Sequence, residues 1–277
     1  MYEQIVYDVT GRVATITLNR PERLNALTYL LLAEVRHALA QAESDERVTG
    51  IILTGEGRGF SAGMDAENLA QDAGTKKTRQ DSIPSELDAT PGDPQMGDDF
   101  QVTFGYLLSV RKPVIAAING PCAGLGMAIA CLCDLRFAAP EAVFRTAFAQ
   151  RGLIAEHGMS WILPRLVGPS HALDLLWHPR KVRADEAREM GLVNRVVARD
   201  ELVAEARRYL EEVAESCAPV SIMIMKQQVY RALMQPLGEA MHEANGLMAT
   251  SLAKPDFREG VASFTEKRAP KFSQIKA

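Results

Sequence analysis

The sequence predicts an α/β protein whose core is followed by a helical C-terminal region. Before about residue 200, short apolar segments rich in β-branched residues alternate with segments of helical period. Strands that alternate with helices favour parallel pairing. After residue 200 only helical period remains, in ELVAEARRYLEEVAE, PVSIMIMKQQVYRALM and LGEAMHEANGLMATSL. We therefore expect a core at residues 1–200 and a helical region at 201–277.

The first predicted elements form a strand–helix–strand series. RVATITLNRP alternates apolar and polar residues and ends at Pro21, which predicts a strand. TYLLLAEVRHALAQAE places Leu31, Val35 and Leu39 on one helical face, and Thr28 is a suitable N-cap. VTGIILTGEG predicts a short buried strand that ends in glycines.

The remaining predicted elements are helices, strands and one long variable loop. We expect a helix in VTFGYLLSVRKP that stops before Pro113, and a core-facing helix around the methionine-rich stretch SIMIMKQQV. Residues 70–100 are polar and contain prolines and glycines, which predicts a variable loop near the active site. Further strands and a helix are predicted in KPVIAAING, LRFAAP, GLVNRVV and GLGMAIACLCD.

Composition excludes several classes of protein. The net charge of −4 and the pI near 5.8 give no bulk attraction to nucleic acid or to an anionic membrane. The four cysteines lack zinc-site spacing, and three of them lie in apolar segments, which indicates reduced cysteines and no metal site. The N-terminal segment MYEQIVYDVTG lacks the apolar run of a signal peptide, and no apolar stretch reaches membrane-spanning length. We expect a cytoplasmic protein.

Three segments in a fixed order carry a family resemblance. NRPERLNAL (19–27), GFSAGMDAENL (59–69) and AAINGPCAGLGMAIACLCDLRFAA (116–139) together resemble the crotonase, or enoyl-CoA hydratase/isomerase, superfamily. The resemblance extends to FREGVASFTEKRAPKF near the C-terminus. It implies a crotonase-like spiral of ββα units, with a helical C-terminal trimerisation region and assembly as a homotrimer or a dimer of trimers. It also implies an acyl-CoA substrate and no permanently bound cofactor, because coenzyme A enters as part of the substrate.

The resemblance places two backbone N–H donors, those of Met64 and Leu125, at the thioester carbonyl. Such donors stabilise an enolate where its charge develops. Leu125 follows Gly124 at the start of a predicted helix, where the helix dipole favours negative charge. Alternatives remain for each glycine-rich stretch taken alone. GLGMAI lacks the third glycine of a dinucleotide fingerprint, GEGRGFSAG lacks the ending of a phosphate loop, and either stretch can be a tight turn.

The resemblance also implies contacts with coenzyme A. The first CoA-binding loop would include Arg23, and the C-terminal pair Phe264 and Lys267 would complete the site, in some members from a neighbouring subunit. In this family an acid at the position of Asp65 more often braces the loop than reacts. The implied binding positions are Arg23, Leu24, Ala26, Ala62, Asp65, Gly124, Phe264 and Lys267.

The acids of the family's hydratases are missing. Hydratases hold a water between two glutamates, and the matching positions here are Ala128 and Phe148. Neither side chain transfers a proton. Glu156 in GLIAEHG then matches the single acid that some isomerases of the family place at this turn. Glu156 also suits a helix N-cap or a first-turn acid, and His157 is either its partner or a surface histidine.

The expected function is therefore an acyl-CoA enzyme that moves a double bond in an enoyl-CoA, with Glu156 as general base and acid. Two alternatives remain. One is a hydratase, or another crotonase reaction such as thioester or C–C hydrolysis, that uses Glu156 or a loop acid such as Glu86 or Asp88. The other is a non-catalytic acyl-CoA-binding protein.

Overall fold

The fold was taken from a computed structural model that describes residues 2–74 and 83–275. Residues 75–82, within the predicted 70–100 loop, lie outside the described residues. The predicted α/β class is confirmed: within the described part, strands alternate with helices up to Val196, and only helices follow.

Six of the described strands form the main sheet, in the spatial order β1-β2-β3-β4-β6-β9. The β1–β2 pair is an antiparallel hairpin, and every other pairing in this sheet is parallel. The bounds of the strands are β1 Ile5–Thr10, β2 Val13–Leu18, β3 Gly50–Gly55, β4 Val114–Ile118, β6 Leu135–Ala138 and β9 Arg195–Val196.

The two faces of this sheet are covered by different helices. Alternate residues of a strand face opposite sides. Ile51 and Leu53 accordingly belong to the core cluster that includes helix α1, Tyr29–Ser44. Ile52 and Ile115 face the second cluster, which includes helix α7, Leu202–Ser216. The central strands are buried on both faces, as is typical of parallel sheets.

A second, three-stranded sheet stands beside the first and holds the loops that approach the site. It consists of β5 Pro121–Ala123, β7 Val143–Arg145 and β8 Val182–Arg183. Two isolated bridges, Leu27 with Met64 and Ser61 with Cys122, tie the loop after β3 to neighbouring segments.

The other helices are α2 Ala66–Gly74, α3 Tyr106–Ser109, α4 Leu125–Leu132, α5 Met159–Trp177, α6 Ala184–Glu189, α8 Pro219–Ala232, α9 Leu237–Leu252 and α10 Pro255–Glu266.

Helix α1 begins as predicted, because the Thr28 hydroxyl accepts a hydrogen bond from the backbone N–H of Leu31. Helix α3 is much shorter than the segment VTFGYLLSVRKP suggested and ends at Ser109. The preceding residues form a turn in which Thr103 takes a positive φ of 36°. Such a backbone does not continue a right-handed helix.

The prediction of a core-facing methionine helix was wrong for this chain. In α8, Met225 is 61% exposed and Val229 is 59% exposed. The helix is held to the core through other side chains: Lys226 donates to Asp134 Oδ2 at 2.8 Å and Tyr230 donates to Asp134 Oδ1 at 2.9 Å. Polar anchoring on one side leaves an apolar surface on the other side of the C-terminal helices.

The described residues contain neither a membrane-spanning helix nor a cluster suited to a metal ion. No helix within residues 2–74 and 83–275 is long and apolar enough to cross a membrane. Within the same ranges, no group of three or more histidine, cysteine or acidic residues is arranged to hold a metal ion. Cys122, Cys131, Cys133 and Cys217 are all free cysteines, and burial raises the pKa of the Cys131 thiol to about 11.

Candidate active site

A cavity of about 950 Å³ opens beside the main sheet. Its wall combines one face of α1, the loop at residues 62–64, the segment 83–89, the aromatic residues Phe104 and Tyr106, the start of α4, and the segment 147–157. Residues that are distant in sequence therefore meet at one site. The volume is that of a small-molecule site.

Met64 presents an unused backbone donor to this cavity. The two residues on either side of it are both hydrogen-bonded to Leu27. The carbonyl of Gly63 accepts from the N–H of Leu27, at 2.8 Å, and the N–H of Asp65 donates to the carbonyl of Leu27, at 2.9 Å. In such a parallel bridge the residue between the two bonds points its own N–H away from the partner. The N–H of Met64 donates to no other described residue.

Leu125 presents a second donor close to the first. It is the first residue of α4, where a backbone N–H has no acceptor within the helix. The two loops touch at glycines: a Cβ atom on Gly63 would lie 2.8 Å from the carbonyl oxygen of Ala123 and 3.5 Å from the nitrogen of Leu125. Gly63 has φ of 94°, which also favours glycine. Two free N–H groups thus lie at one point of the cavity wall.

Asp65 braces this loop instead of facing the cavity. Its carboxylate accepts a hydrogen bond from Arg20 Nη1 at 2.9 Å and another from the backbone N–H of Glu67 at 3.0 Å. Arg20 Nη1 also donates to the carbonyl of Ala26, at 2.6 Å, which joins the two loops. Burial alone would raise the pKa of Asp65, but the hydrogen bonds from Arg20 and Glu67 outweigh it and lower the pKa below its ordinary value.

Glu156 lies in the cavity wall, and its side chain does not cap the following helix. The N-cap of α5 is Gly158, no side chain donates or accepts there as a cap, and the first turn contains no acidic residue. Both His157 and Gly158 have left-handed backbone, with φ of 53° and 77°. This double turn separates Glu156 from the helix start. The cap interpretation of Glu156 is therefore wrong, and the acid is left facing the cavity.

The imidazole of His157 lies next to the carboxylate of Glu156. Its Nε2 atom lies 4.0 Å from Oε2 of Glu156, and the two side chains are 29% and 33% exposed. The imidazole packs edge-on against Phe104, with ring centroids 5.3 Å apart. It is thus part of the cavity wall rather than a surface histidine.

The two positions that match the hydratase glutamates differ in their surroundings. Ala128 is fully buried within α4 and does not line the cavity. Phe148 does line the cavity, where it adds apolar surface. Among the described residues, the only carboxylates of the cavity wall are Glu156 and Asp88.

The structure brings together only some of the predicted coenzyme A positions. Ala62, Met64 and Gly124 line the cavity. Arg23 and Leu24 lie on the loop beside it, where Leu24 accepts from the N–H of Ala62 and Arg23 is largely exposed. The remaining positions do not line the cavity in this chain: Ala26 and Asp65 are in the brace, and Phe264 and Lys267 are at the end of α10.

The sequence analysis did not predict that one face of α1 lines the cavity. Tyr29, Leu32, Ala33 and Arg36 all line the cavity, although the apolar face of this helix is turned to the core. Their spacing of i, i+3, i+4 and i+7 is the signal of a second face on the same helix. Tyr106 was also missed, because its segment was considered only as a predicted helix.

Comparison with known proteins places the chain in a family. The sequence model described as Enoyl-CoA hydratase/isomerase matches residues 8–275. The chain belongs to the enoyl-CoA hydratase/isomerase family. It is 36% identical over 272 residues to the probable enoyl-CoA hydratase echA8 of Mycobacterium tuberculosis, with 98% of each chain covered.

Two further relatives carry different names. The chain is 32% identical over 277 residues to the 1,2-epoxyphenylacetyl-CoA isomerase of Escherichia coli, covering 99% of each. It also superposes on a crystal structure of enoyl-CoA hydratase from Bacillus anthracis with a TM-score of 0.83 and 29% identity, covering 98% of this chain and 99% of that one. The predicted crotonase-type fold is confirmed, and the protein is an enzyme of this superfamily.

Proposed function

We propose that this protein is an enoyl-CoA isomerase in which Glu156 is both the general base and the general acid. The observation that carries the proposal is the position of Glu156: it faces the same cavity as the unused N–H groups of Met64 and Leu125. An enolate needs donors at its oxygen and a base at its α-carbon, and this wall offers both.

The reaction balances with these groups alone. The Glu156 carboxylate takes a proton from C2 of a 3-enoyl-CoA, and the C–H electron pair moves into the thioester. The carbonyl oxygen becomes an oxyanion that accepts hydrogen bonds from Met64 and Leu125. The resulting dienolate then takes the proton from Glu156 at C4, so that the C3–C4 double bond moves to C2–C3. The carboxylate is regenerated, and no water is consumed.

Water addition by paired glutamates is disfavoured by the side chains at the two matching positions. Ala128 carries no titratable group and is buried outside the cavity. Phe148 is apolar, so its side chain cannot orient a water by hydrogen bonds. A single carboxylate suits a reaction that moves one proton between two carbons.

A panel of substrates tests the proposal. We expect purified protein to convert 3-hexenoyl-CoA to 2-hexenoyl-CoA, and to add water to 2-hexenoyl-CoA far more slowly. Glu156→Gln should lose the isomerisation, while Glu141→Gln, which changes an exposed acid outside the cavity, should keep it. Isomerisation at the full rate in Glu156→Gln would overturn the proposal.

Hydration or thioester hydrolysis is the second candidate. Asp88 gives the cavity a second carboxylate, and the relative from Mycobacterium tuberculosis is named as a hydratase. The same panel separates the two: rapid formation of a 3-hydroxyacyl-CoA, or release of free coenzyme A, that depends on Asp88 or Glu156 would favour the second candidate. Binding of acyl-CoA with no turnover on any substrate would indicate the non-catalytic alternative.

Coenzyme A binding and assembly complete the proposal. Arg23 and Leu24 lie on a loop that is hydrogen-bonded to Ala62 in the cavity wall, and this loop suits the nucleotide part of coenzyme A. The C-terminal helices expose Met225, Leu237 and Phe264, at 61%, 76% and 86%, which supports a homotrimer or a dimer of trimers. Light scattering of the purified protein would test the assembly, and a monomer at micromolar concentration would contradict it.

A further inference from the structure

Arg36 is the cation of the α1 face that lines the cavity. It follows Tyr29, Leu32 and Ala33 on that face, one turn after Ala33. The neighbouring wall is largely apolar, with Leu69 and Leu87 among its residues. Arg36 is half-buried, and a polar atom that is buried there costs free energy unless it finds a hydrogen-bond partner.

No such partner is present among the described residues. The Nε atom of Arg36 is buried and has no hydrogen-bond acceptor. The guanidinium forms no ion pair, and its one described contact is with the face of the Tyr106 ring, 5.6 Å from the centroid. The two carboxylates of the wall, Asp88 and Glu156, both lie beyond ion-pair distance from it.

Among the described residues, the cations that are buried or nearly so have acceptors, whereas the buried Nε of Arg36 has none. Arg136, 3% exposed, donates to the carbonyls of Leu192 and Cys133, at 2.7 Å each. Lys112, 1% exposed, donates to the carbonyls of Ala42 and Asp45. Lys226 is paired with Asp134. These three cations are thus satisfied within the fold, whereas Arg36 lines the cavity with a buried Nε that has no acceptor.

A second donor stands beside Arg36. Tyr106 lines the cavity, and its hydroxyl has no hydrogen-bond partner among the described residues. Burial of this residue holds the pKa of its hydroxyl well above the ordinary value, so the group remains a donor at neutral pH. Two adjacent donors, one of them a planar fork, suit the two oxygens of a carboxylate.

The position of this pair relative to Glu156 is fixed by a row of rings. Tyr106 and Phe104 have centroids 6.4 Å apart, and Phe104 and His157 have centroids 5.3 Å apart. Arg36 is at one end of the row, and Glu156, next to His157, is at the other. An anion bound by Arg36 is therefore separated from the reacting carbons by the aromatic part of the wall.

We propose that Arg36, with Tyr106, binds a carboxylate at the far end of the acyl chain, so that the preferred substrates are ω-carboxyacyl-CoA thioesters. This inference rests on the proposed acyl-CoA function, because it takes the cavity to hold the acyl chain. It concerns only the recognition of that chain and is independent of which proton transfer follows.

Binding of saturated thioesters tests the inference without any turnover. Isothermal titration calorimetry would compare adipoyl-CoA with hexanoyl-CoA and suberoyl-CoA with octanoyl-CoA on the wild-type protein. We expect the carboxylated member of at least one pair to bind about tenfold or more tightly, as a charged hydrogen bond in a buried site gives. Equal affinity in both pairs, or tighter binding of the alkyl members, would overturn the inference.

Variants test whether Arg36 is responsible for the preference for carboxylated thioesters. Arg36→Met should abolish the preference and leave the binding of hexanoyl-CoA and octanoyl-CoA within about twofold, and Tyr106→Phe should reduce the preference. Arg151→Met is the matched control, since Arg151 also lines the cavity but already donates to the carbonyl of Ala147, at 2.9 Å. A preference that survives Arg36→Met, or that Arg151→Met removes equally, would contradict a specific site.

If Arg36→Met fails to fold, the wild-type affinities for the two pairs and the effect of Tyr106→Phe still test the inference. Failure of the isomerase assay would leave these affinities unchanged, so the two proposals fail separately.

Discussion

The Oε2 atom of Glu156 lies 4.0 Å from the Nε2 atom of His157 at a left-handed double turn in the cavity wall. The turn keeps the acid out of the first turn of α5, where it would be held by backbone N–H groups. The consequence is a carboxylate near an imidazole and free of the helix. Such an acid is available for proton transfer.

Replacement of His157 should affect turnover more than binding. Asparagine tolerates the left-handed backbone of this position but lacks the ring that packs on Phe104. We expect His157→Asn to lower kcat on the order of tenfold to a hundredfold with little change in KM, because a displaced base loses its alignment. His171→Asn, at an exposed position on α5, is the control. An unchanged kcat and pH profile in His157→Asn would show that the histidine does not position Glu156.

The close approach of the two donor loops requires glycine at residue 63. A Cβ atom there would lie 2.8 Å from the carbonyl oxygen of Ala123, so the loops would separate. We expect Gly63→Ala to reduce kcat/KM at least about a hundredfold, as expected when an oxyanion donor is displaced. Steady-state kinetics on 3-hexenoyl-CoA would measure the effect.

Gly97→Ala is a matched control for that variant. Gly97 has φ of 96°, against 94° for Gly63, but a Cβ atom on Gly97 would have nothing within 4 Å. Both variants place an L side chain at a positive φ that favours glycine, whereas only Gly63→Ala should lose activity. Equal activities in the two variants would contradict the importance of the contact.

Helix α8 should depend on its buried ion pair for stability. Asp134 and Lys226 are 2.8 Å apart, with side chains 16% and 8% exposed. We expect Asp134→Asn to lower the free energy of unfolding by about 3 kcal/mol, because Lys226 loses its counter-ion in a largely buried position. Glu67→Gln, which removes an exposed pair with Arg23, should cost less than about 1 kcal/mol. Urea unfolding would measure both, and equal losses would contradict the prediction.

The hydrogen bonds by which Arg20 joins Ala26 to Asp65 should depend on pH in the acid range. The pKa of Asp65 is lowered in the folded state, so the unfolded chain binds this proton at a higher pH than the folded one. The stabilisation by Asp65 is then complete above the ordinary aspartate pKa and is lost as the pH falls through the lowered value. We expect the difference in unfolding free energy between wild type and Asp65→Asn to be largest at pH 7 and to shrink toward pH 3. A difference that grows on acidification would contradict this sign, and Asp200→Asn, an exposed acid, should show no such trend.

The sequence predicted the interior of the fold better than its edges. The all-buried strands β3 and β4 and the Thr28 cap were predicted, because a continuous apolar run or a hydroxyl before a helix has one main interpretation. Strand β1 was not predicted: it is an edge strand with only Ile5 buried, and its polar residues conceal the alternation. The methionine face of α8 was predicted to face the core, because hydrophobic periodicity alone does not distinguish a buried helix face from an exposed apolar one.

The residues of the candidate site that could be predicted are those that lie in segments resembling the family. The family resemblance implied Met64, Leu125 and Glu156, and all three line the cavity. Arg36 and Tyr106 were not found, because their role depends on the absence of a partner, and only a structure shows which side chains are left unpaired.

The most direct test of the central claim is the conversion of 3-hexenoyl-CoA in heavy water, followed by proton nuclear magnetic resonance for wild type and Glu156→Gln. We expect wild type to form 2-hexenoyl-CoA while the proton at C2 is lost, and Glu156→Gln to be slower at both steps by at least about a hundredfold with unchanged affinity. Isomerisation and loss of the C2 proton at the wild-type rate in Glu156→Gln would contradict the assignment of Glu156 as the acid and base.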